Sequence, residues 1–380
     1  MLIKAVAQSI PTYMMGVFQL PVKLCDELNA MCARFWWGQI GNEKKIHWKS
    51  WNILSQPKKE GGMGFRELRS LNLAMLAKQG WRLIQEQGSL LYGCFKARYF
   101  PRGSFLEAND VLNSSSVWKS LMAAQPILKN GCCWRVGDGS SICVTKDRWI
   151  LNHPTNMVLH PPVEEEWEWR VADLIDWRFK SWDREVIESK FHTEDAEAIL
   201  RIPLSRQQAV DVTIWLHKKD GEYSVKSGYH VARMISKQNN GLGESSRTAQ
   251  GNLVWRKLWK SNILNKIKAF GWRACQNALP TKENLARRGI IDNDSCELCK
   301  QAPESVLHVL WECGVAQDIW VGSMRRLQKG ITNQLEFSQL VDELMLRLSE
   351  EEWEIFWVQC WLAWNQRNLI MHGGKMQDPT

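Results

Sequence analysis

The 380-residue sequence contains no apolar run long enough to cross a membrane, because charged residues or proline interrupt every apolar stretch. The opening residues, MLIKAVAQSIPTYMM, are too polar for the core of a secretory signal peptide. A disulfide framework is not expected, since the 11 cysteines are an odd number in a long chain. We therefore predict an intracellular protein of the nucleus or cytoplasm, not secreted and without a membrane segment, whose thiols stay reduced.

The sequence also lacks the signatures of common catalytic sites. The pattern Gly61-Gly62-Met63-Gly64 predicts a tight turn and not a phosphate loop, because no Gly-Lys-Ser/Thr follows it. Two-metal phosphoryl transfer needs clustered carboxylates, and the acidic triplets at 164–166 and 350–352 have the pattern of solvated charge runs. Nothing in the sequence orders a Cys/His pair for hydrolysis. We therefore expect that this chain is not an enzyme.

The most informative residues lie in the string CELCKQAPESVLHVLWEC. Cys296 and Cys299 form a Cys-x2-Cys pair, His308 follows after eight residues, and Cys313 follows after four more. Three thiolates and one imidazole are a donor set for tetrahedral zinc, with sulfurs about 2.3 Å from the ion. Because four protein donors leave no open coordination position, the spacing predicts a Zn²⁺ ion that stabilises the fold and does no chemistry.

A simpler interpretation of these residues stays open. Cysteine is often just a small buried hydrophobe, and a single histidine such as His308 is more often a core residue than a ligand. We predict a core role for the other cysteines, which are Cys25, Cys32, Cys94, Cys132, Cys133, Cys143, Cys275 and Cys360. The complete four-ligand spacing favours zinc for the 296–313 segment.

Basic and acidic side chains alternate in blocks along the chain. Residues 1–100 carry 14 basic and 6 acidic side chains, and residues 201–300 carry 18 and 8. The blocks 101–200 and 301–380 each have a net negative charge. Concentrated basic segments are typical of nucleic-acid-binding proteins, although an ordinary solvated surface has the same composition.

Tryptophan is unusually frequent. The 22 tryptophans outnumber the 11 phenylalanines and 5 tyrosines combined, and several directly precede Lys or Arg, as Trp48, Trp255 and Trp272 do. Aromatic rings interleaved with basic residues can stack on bases and grip phosphates. Because a tryptophan side chain buries a large area, we predict that most of these rings belong to the core.

Apolar periodicity predicts a mainly α fold with short β-hairpins (an α+β class) and a small CCHC zinc module. Helical patterns occupy 2–37 with a break at Pro11, 68–87, 171–210, 253–290 and the tail after 340. Hairpins are predicted at 131–149, with a turn at Asp138-Gly139, and at 212–225. Residues 238–250 read as a linker. Ser349 and Glu352 form a capping box at the start of the last helix.

Five strings, in this order, resemble the C-terminal part of the reverse transcriptase of plant LINE-type (non-LTR) retrotransposons, including its reverse-transcriptase zinc-binding domain. The resemblance covers almost the whole chain, and the strings that carry it are WNILSQPKKEGGMGFRELRSLNLAMLAKQGWRLI, WRVGDGSSICVTKDRWI, DGEYSVKSGY, KIKAFGWRACQNALPTKENLARRGI and CELCKQAPESVLHVLWEC. Asn265 departs from the family pattern, in which a proline is common before Lys-x-Lys.

The resemblance implies a domain order and a missing catalytic centre. Such polymerases carry a palm with a Tyr-x-Asp-Asp motif, and this sequence contains no Asp-Asp pair. We therefore expect a fragment or degenerate copy without palm, endonuclease or ribonuclease H domains. The implied segments are a thumb-like basic helical region (1–100), a connection with a β-hairpin (101–210), the zinc-binding domain (211–322) and a helical Trp-rich tail (323–380).

Two functions remain as hypotheses. The first is binding of RNA or DNA through backbone contacts with little sequence preference. Its candidate residues are Lys44, Lys45, Lys49, Lys58, Lys59, Lys266, Lys268, Arg273, Arg287 and Arg288. The second is a zinc-stapled protein-interaction scaffold without a nucleic-acid role, in which the Trp-rich last helix offers a partner surface.

Overall fold

The computed structural model describes residues 2–41, 43–161, 169–205, 209–239, 249–322 and 334–374. These residues are mainly helical with two small antiparallel sheets, which confirms the predicted fold class. The chain divides into two compact units. Unit 1 comprises Met1–Leu28 and Glu67–Gly243, and unit 2 comprises Asn29–Arg66 and Glu244–Thr380. None of the described helices is both long enough and apolar enough to span a bilayer.

The described elements are as follows in chain order. The α-helices are α1 (Thr12–Met15), α2 (Val22–Trp36), α3 (Trp51–Leu54), α4 (Leu68–Gln85), α5 (Leu90–Tyr99), α6 (Ser116–Gly131), α7 (Arg184–Lys190), α8 (Thr193–Leu200), α9 (Val225–Asn239), α10 (Ala249–Lys260), α11 (Asn265–Cys275), α12 (Lys282–Ala286), α13 (Gly314–Val321), α14 (Phe337–Arg347) and α15 (Glu350–Met371). The strands are β1 (Cys132–Arg135), β2 (Ile175–Asp176), β3 (Ser181–Trp182) and β4 (Val212–Trp215). Two π-helical turns, Ile3–Ala7 and His308–Glu312, and two 3₁₀ turns, Lys58–Glu60 and Val171–Leu174, complete the description.

The core of unit 1 forms where α4 packs against α6 and α9. A Cβ added at Gly80 on α4 would lie 2.8 Å from the side chains of Leu128 and Phe105, so only glycine allows this close approach. Trp118 is fully buried and stacks on Tyr99 with ring centres 4.4 Å apart. A second apolar cluster of unit 1 contains the fully buried residues Ile142, Val144, Trp149, Val171, Leu174, Ile187 and Ile199.

The predicted hairpin at 131–149 is wrong. β1 pairs with β4, with Cys132 opposite Trp215, and not with residues 142–145. The carboxylate of Asp211 explains the difference, because it accepts hydrogen bonds from the backbone N–H groups of Gly137 (2.7 Å) and Gly139 (2.9 Å). The turn is thus held by a side chain distant in sequence, and β1 is free to pair elsewhere.

The predicted hairpin at 212–225 is also wrong. Its first half forms β4, but residues 222–224 form no strand and the chain enters α9 at Val225. The ring of Trp215 packs on Gly131, where a Cβ would lie only 2.2 Å from the ring. This contact and the N–H of Leu216, which donates to the carbonyl of Gly131 (2.9 Å), fix β4 beside β1.

Other local predictions had mixed outcomes. The 171–210 segment is only partly helical, because β2 and β3 form a two-residue ribbon before α7 and α8. The 253–290 stretch divides into α10, α11 and α12, and the capping box of Ser349 and Glu352 is confirmed at α15. Most of the predicted linker (240–248) and the acidic triplet 164–166 lie outside the described residues.

Unit 2 is built around an aromatic core. α15 packs against α11, α13 and the π-helical turn His308–Glu312. Trp353, Phe356 and Trp357 on α15 are each at most 1% exposed. Phe356 lies between the rings of Trp320 (5.6 Å) and Phe337 (6.3 Å). Most of the tryptophan surface in this unit is therefore buried in its core, as the sequence predicted.

Candidate metal centre

Cys296 and Cys299 are positioned by a tight turn in unit 2. The backbone N–H of Cys296 donates to the carbonyl of Ala302 (2.9 Å), and its carbonyl accepts from Lys300 (2.8 Å). Lys300 adopts a left-handed conformation (φ 56°), which reverses the chain directly after the second cysteine. The Cys-x2-Cys spacing therefore leaves both sulfurs on the inner side of the turn.

His308 and Cys313 are brought together by a π-helical turn. In an α-helix, residues five apart lie roughly 140° from each other around the axis. Here the N–H of Cys313 donates to the carbonyl of His308 (2.7 Å), which closes the wider turn of a π-helix. The hydroxyl of Ser305 accepts from the N–H of His308 (2.9 Å) and fixes the start of this turn. The sequence predicted the two ligands but not the π-turn that joins them.

The four predicted ligands form one compact group. Their donor atoms all lie within 4.8 Å of one another. The two sulfurs of Cys296 and Cys313 are 3.9 Å apart, and Cys299 Sγ is 3.3 Å from His308 Nε2. A tetrahedral ion with Zn–S bonds of about 2.3 Å would separate its sulfurs by about 3.8 Å. The donor set therefore fits zinc, and the distance between the sulfurs of Cys296 and Cys313 is close to this value.

The close packing of these donors also perturbs their protonation. The hydrogen bond with Cys296 lowers the pKa of Cys313 to about 7, and the same bond, with burial, raises the pKa of Cys296 to about 11. The pKa of His308 is raised, chiefly by its hydrogen bond with Cys296. These donors share protons through hydrogen bonds, and a divalent cation that binds them would displace those protons.

Outer partners orient the ligands. The Glu312 carboxylate lies 4.0 Å from His308 Nδ1, on the side of the imidazole opposite the thiols. A carboxylate at this nitrogen is a common way to orient a metal-binding histidine. The N–H of Gln301 donates to Cys299 Sγ (3.5 Å).

A buried carboxylate anchors the ligand segment to the rest of unit 2. Glu304, between the two pairs of ligands, has no exposed surface and forms an ion pair with Arg367 of α15. Its side chain also accepts from the backbone N–H of Lys282 at the start of α12 (2.9 Å). Glu304 could not be recognised from the sequence, because an isolated glutamate gives no sign of burial.

The ten basic residues predicted to contact nucleic acid all belong to unit 2. Among the described residues, ion pairs join Lys45 to Glu43 (2.7 Å), Lys59 to Glu60 (4.0 Å) and Arg287 to Glu283 (2.7 Å). Exposed pairs of this kind contribute only about 0–1 kcal/mol, so they leave the cations available to a stronger anion. Nucleic-acid contact by these residues stays a prediction.

Several of these cations lie over tryptophan rings. The distance from the cationic group to the ring centre is 4.1 Å for Lys58 on Trp259, 4.3 Å for Lys266 on Trp361, 5.5 Å for Arg273 on Trp37 and 4.9 Å for Arg288 on Trp48. In each pair the cation and the ring come from residues far apart in sequence. A tryptophan and the basic residue next to it on a helix point in different directions and do not form such a pair. Arg273 is half-buried, and this burial lowers its pKa.

The Trp-rich last helix does not offer its tryptophan face to solvent. Trp353, Trp357 and Trp364 are buried, and the Nε1–H of Trp353 donates to Ser261 Oγ (3.1 Å) within unit 2. The prediction that this aromatic face is a partner surface is therefore wrong. The physical reason is that an indole side chain gains more from burial in its own core than from exposure.

Comparison with known proteins agrees with this site. Residues 223–320, which include all four candidate ligands, match the family described as zinc-binding in reverse transcriptase. The sequence is 30% identical to "Putative ribonuclease H protein" of Arabidopsis thaliana over 99% of this chain, which spans 61% of that relative's length. It is 37% identical to an uncharacterized mitochondrial protein of Arabidopsis thaliana over 38% of this chain and 94% of that protein. The chain therefore belongs to the retrotransposon-derived plant proteins that carry the zinc-binding domain of reverse transcriptase.

Proposed function

We propose that this chain is a zinc-stabilised, nucleic-acid-binding protein derived from the reverse transcriptase of a LINE-type (non-LTR) retrotransposon, and that it acts without polymerase catalysis. Cys296, Cys299, His308 and Cys313 would hold the zinc ion, which supplies a structural cross-link. Lysine and arginine side chains of unit 2 would contact the phosphate backbone of RNA or DNA.

One observation carries the nucleic-acid part of this proposal. The ten candidate cations come from two stretches, 44–59 and 266–288, that are far apart in sequence, and both stretches belong to the compact unit that contains the Cys₃His group. Folding thus concentrates positive charge in one unit. Concentrated positive charge attracts the phosphate backbone without reading base sequence.

Zinc would support nucleic-acid binding indirectly, because it stabilises the fold of unit 2. The ligand segment is tied to α12 and α15 through Glu304, and α12 leads directly into Arg287 and Arg288. Loss of the ion would free the 296–313 segment and loosen these neighbours. Metal removal is therefore expected to weaken nucleic-acid binding indirectly, through the positions of basic side chains.

The test is a binding titration of the full chain against single-stranded RNA and single- and double-stranded DNA at several salt concentrations. We expect affinities that depend little on sequence and fall steeply as salt rises, because neutralised phosphates release counterions. Replacement of Lys44, Lys45, Lys58 and Lys59 by Gln should reduce the log–log salt slope by up to about 3–4 if all four touch phosphate. If the wild-type protein shows no salt-dependent binding, the result favours the alternative function, a zinc-stapled protein-interaction scaffold.

A further inference from the structure

Two lysines from distant parts of the sequence converge on one tryptophan in unit 2. The ammonium group of Lys58, on the 3₁₀ turn Lys58–Glu60, lies 4.1 Å from the ring centre of Trp259. The ammonium group of Lys268, in the first turn of α11, donates to the backbone carbonyl of Trp259 (3.2 Å). The 3₁₀ turn packs against α10, so the fold itself sets this convergence.

In the part of the chain that the structure describes, neither positive charge has an ion-pair partner. Among the described residues, no carboxylate oxygen lies within 4.0 Å of the ammonium group of Lys58 or of Lys268. Burial and then the charge of Lys268 lower the pKa of Lys58. Two like charges held together and partly desolvated are unfavourable unless an anion joins them. The arrangement therefore has the electrostatics of an anion site.

A third lysine lies two residues before Lys268 on α11, so its side chain points to a different side of that helix. Lys266, also in the first turn of α11, places its ammonium group 4.3 Å from the ring centre of Trp361 on α15. The first turn of α11 contains no acidic residue. One face of each of the Trp259 and Trp361 rings is thus covered by an ammonium group and is unavailable for stacking on bases.

We propose that Lys58 and Lys268, positioned by Trp259, form a phosphate-binding subsite for one phosphodiester group of RNA or DNA. This inference rests on the proposed nucleic-acid function and identifies residues that would contact the phosphate backbone of the nucleic acid. Two ammonium groups can share the oxygens of one phosphate, as point-charge donors with freely rotating N–H groups.

The first experiment compares the double variant Lys58→Gln/Lys268→Gln with a matched control, Lys119→Gln/Lys129→Gln. The control removes the same charge from exposed positions on α6 of unit 1. Binding to homopolymeric single-stranded RNA is measured by fluorescence anisotropy across a salt series. Each neutralised phosphate contributes about 0.7 to the salt slope for a single strand, so loss of the one shared phosphate should lower the slope by about 0.7 for the test pair and leave the control nearly unchanged.

The outcomes separate the two proposals. If the wild type binds RNA and the Lys58/Lys268 variant keeps its slope and affinity, the subsite is overturned while the proposed function stands. If the wild type does not bind RNA or DNA at all, the proposed function fails, and the subsite fails with it. Zinc content is measured for each variant, so a loss of fold is recognised.

A second measurement needs no substitution. Wild-type protein is acetylated with and without the homopolymeric RNA, and the modified lysines are quantified by mass spectrometry. We expect RNA to protect Lys58 and Lys268 several-fold and to leave Lys119 unchanged. Equal acetylation of Lys58 and Lys268 in both samples, under conditions where RNA is bound, would overturn the subsite.

Discussion

Glu304 and Arg367 form a buried ion pair that ties the candidate zinc segment to the last helix. Glu304 has no exposed surface and Arg367 is 6% exposed. Arg367 donates to Glu304 through both Nε and Nη2, and the Arg367 guanidinium also lies 5.0 Å from the ring centre of Trp364. The ligand segment and α15 therefore belong to the same compact unit, although the sequence suggested a zinc domain followed by a separate tail.

Replacement of Arg367 by Met should destabilise unit 2 severely. The substitution leaves the Glu304 carboxylate buried without its cation, a change that typically costs about 3–5 kcal/mol. The free energy of unfolding, measured by urea titration with zinc present, checks the expectation. The control is Arg347→Gln, which removes one partner of an exposed pair with Glu343 on α14 and should cost well under 1 kcal/mol.

The companion variant Glu304→Leu/Arg367→Met removes both charges together. It should recover part of the stability lost in Arg367→Met, because no uncompensated charge remains in the core. Recovery will be incomplete, since the backbone N–H of Lys282 also loses its acceptor. Equal stability of Arg367→Met and wild type would contradict the assignment of this pair.

Metal content tests the ligand assignment. Purified protein should carry about one zinc ion per chain, and Cys296→Ser should lose most of it because one of four donors is gone. Elemental analysis by mass spectrometry makes the measurement. Cys94→Ser is the matched control. Cys94 lies exposed on α5 and is no ligand, so its predicted core role is wrong. Stoichiometric metal in a Cys296→Ser/Cys299→Ser variant would refute the assignment.

Two buried thiols predict a loss of stability at alkaline pH. Burial raises the pKa of Cys132 to about 12 and that of Cys133 to about 11, whereas an unfolded cysteine titrates near about 8.5. Above that pH the unfolded chain releases protons that the folded chain retains. The free energy of unfolding therefore falls as pH rises, by up to roughly 1.4 kcal/mol per pH unit for each thiol.

Urea titrations from neutral pH to about pH 10 would reveal this slope. The variant Cys132→Ala/Cys133→Ala should show a flatter decline in the free energy of unfolding, even if its stability at neutral pH is lower. Cys94→Ala keeps both buried thiols and should keep the wild-type slope. A slope unchanged by the double substitution would mean that these thiols do not couple folding to pH.

Polymerase activity should be absent. The sequence contains no Asp-Asp pair, and two-metal nucleotidyl transfer requires clustered carboxylates. We expect no nucleotide incorporation into a primed RNA or DNA template with Mg²⁺ or Mn²⁺. The control is the same protein after heat denaturation, and incorporation above that background would show that the prediction is wrong.

The sequence by itself determined the parts of this protein that depend on short spacing. Cys296, Cys299, His308 and Cys313 were recognisable because zinc chemistry demands few residue types at short intervals. The capping box of Ser349 and Glu352 and the helix starting at Leu68 were equally local features.

Only the tertiary structure decided which distant segments meet. Strand β1 pairs with β4, and not with its sequence neighbour, because Asp211 holds the intervening turn and Trp215 fits only against Gly131. Lys58 meets Trp259, and Glu304 meets Arg367, across long stretches of chain. Such contacts depend on the shape and burial of the whole unit, and the pattern of apolar residues along the chain specifies neither.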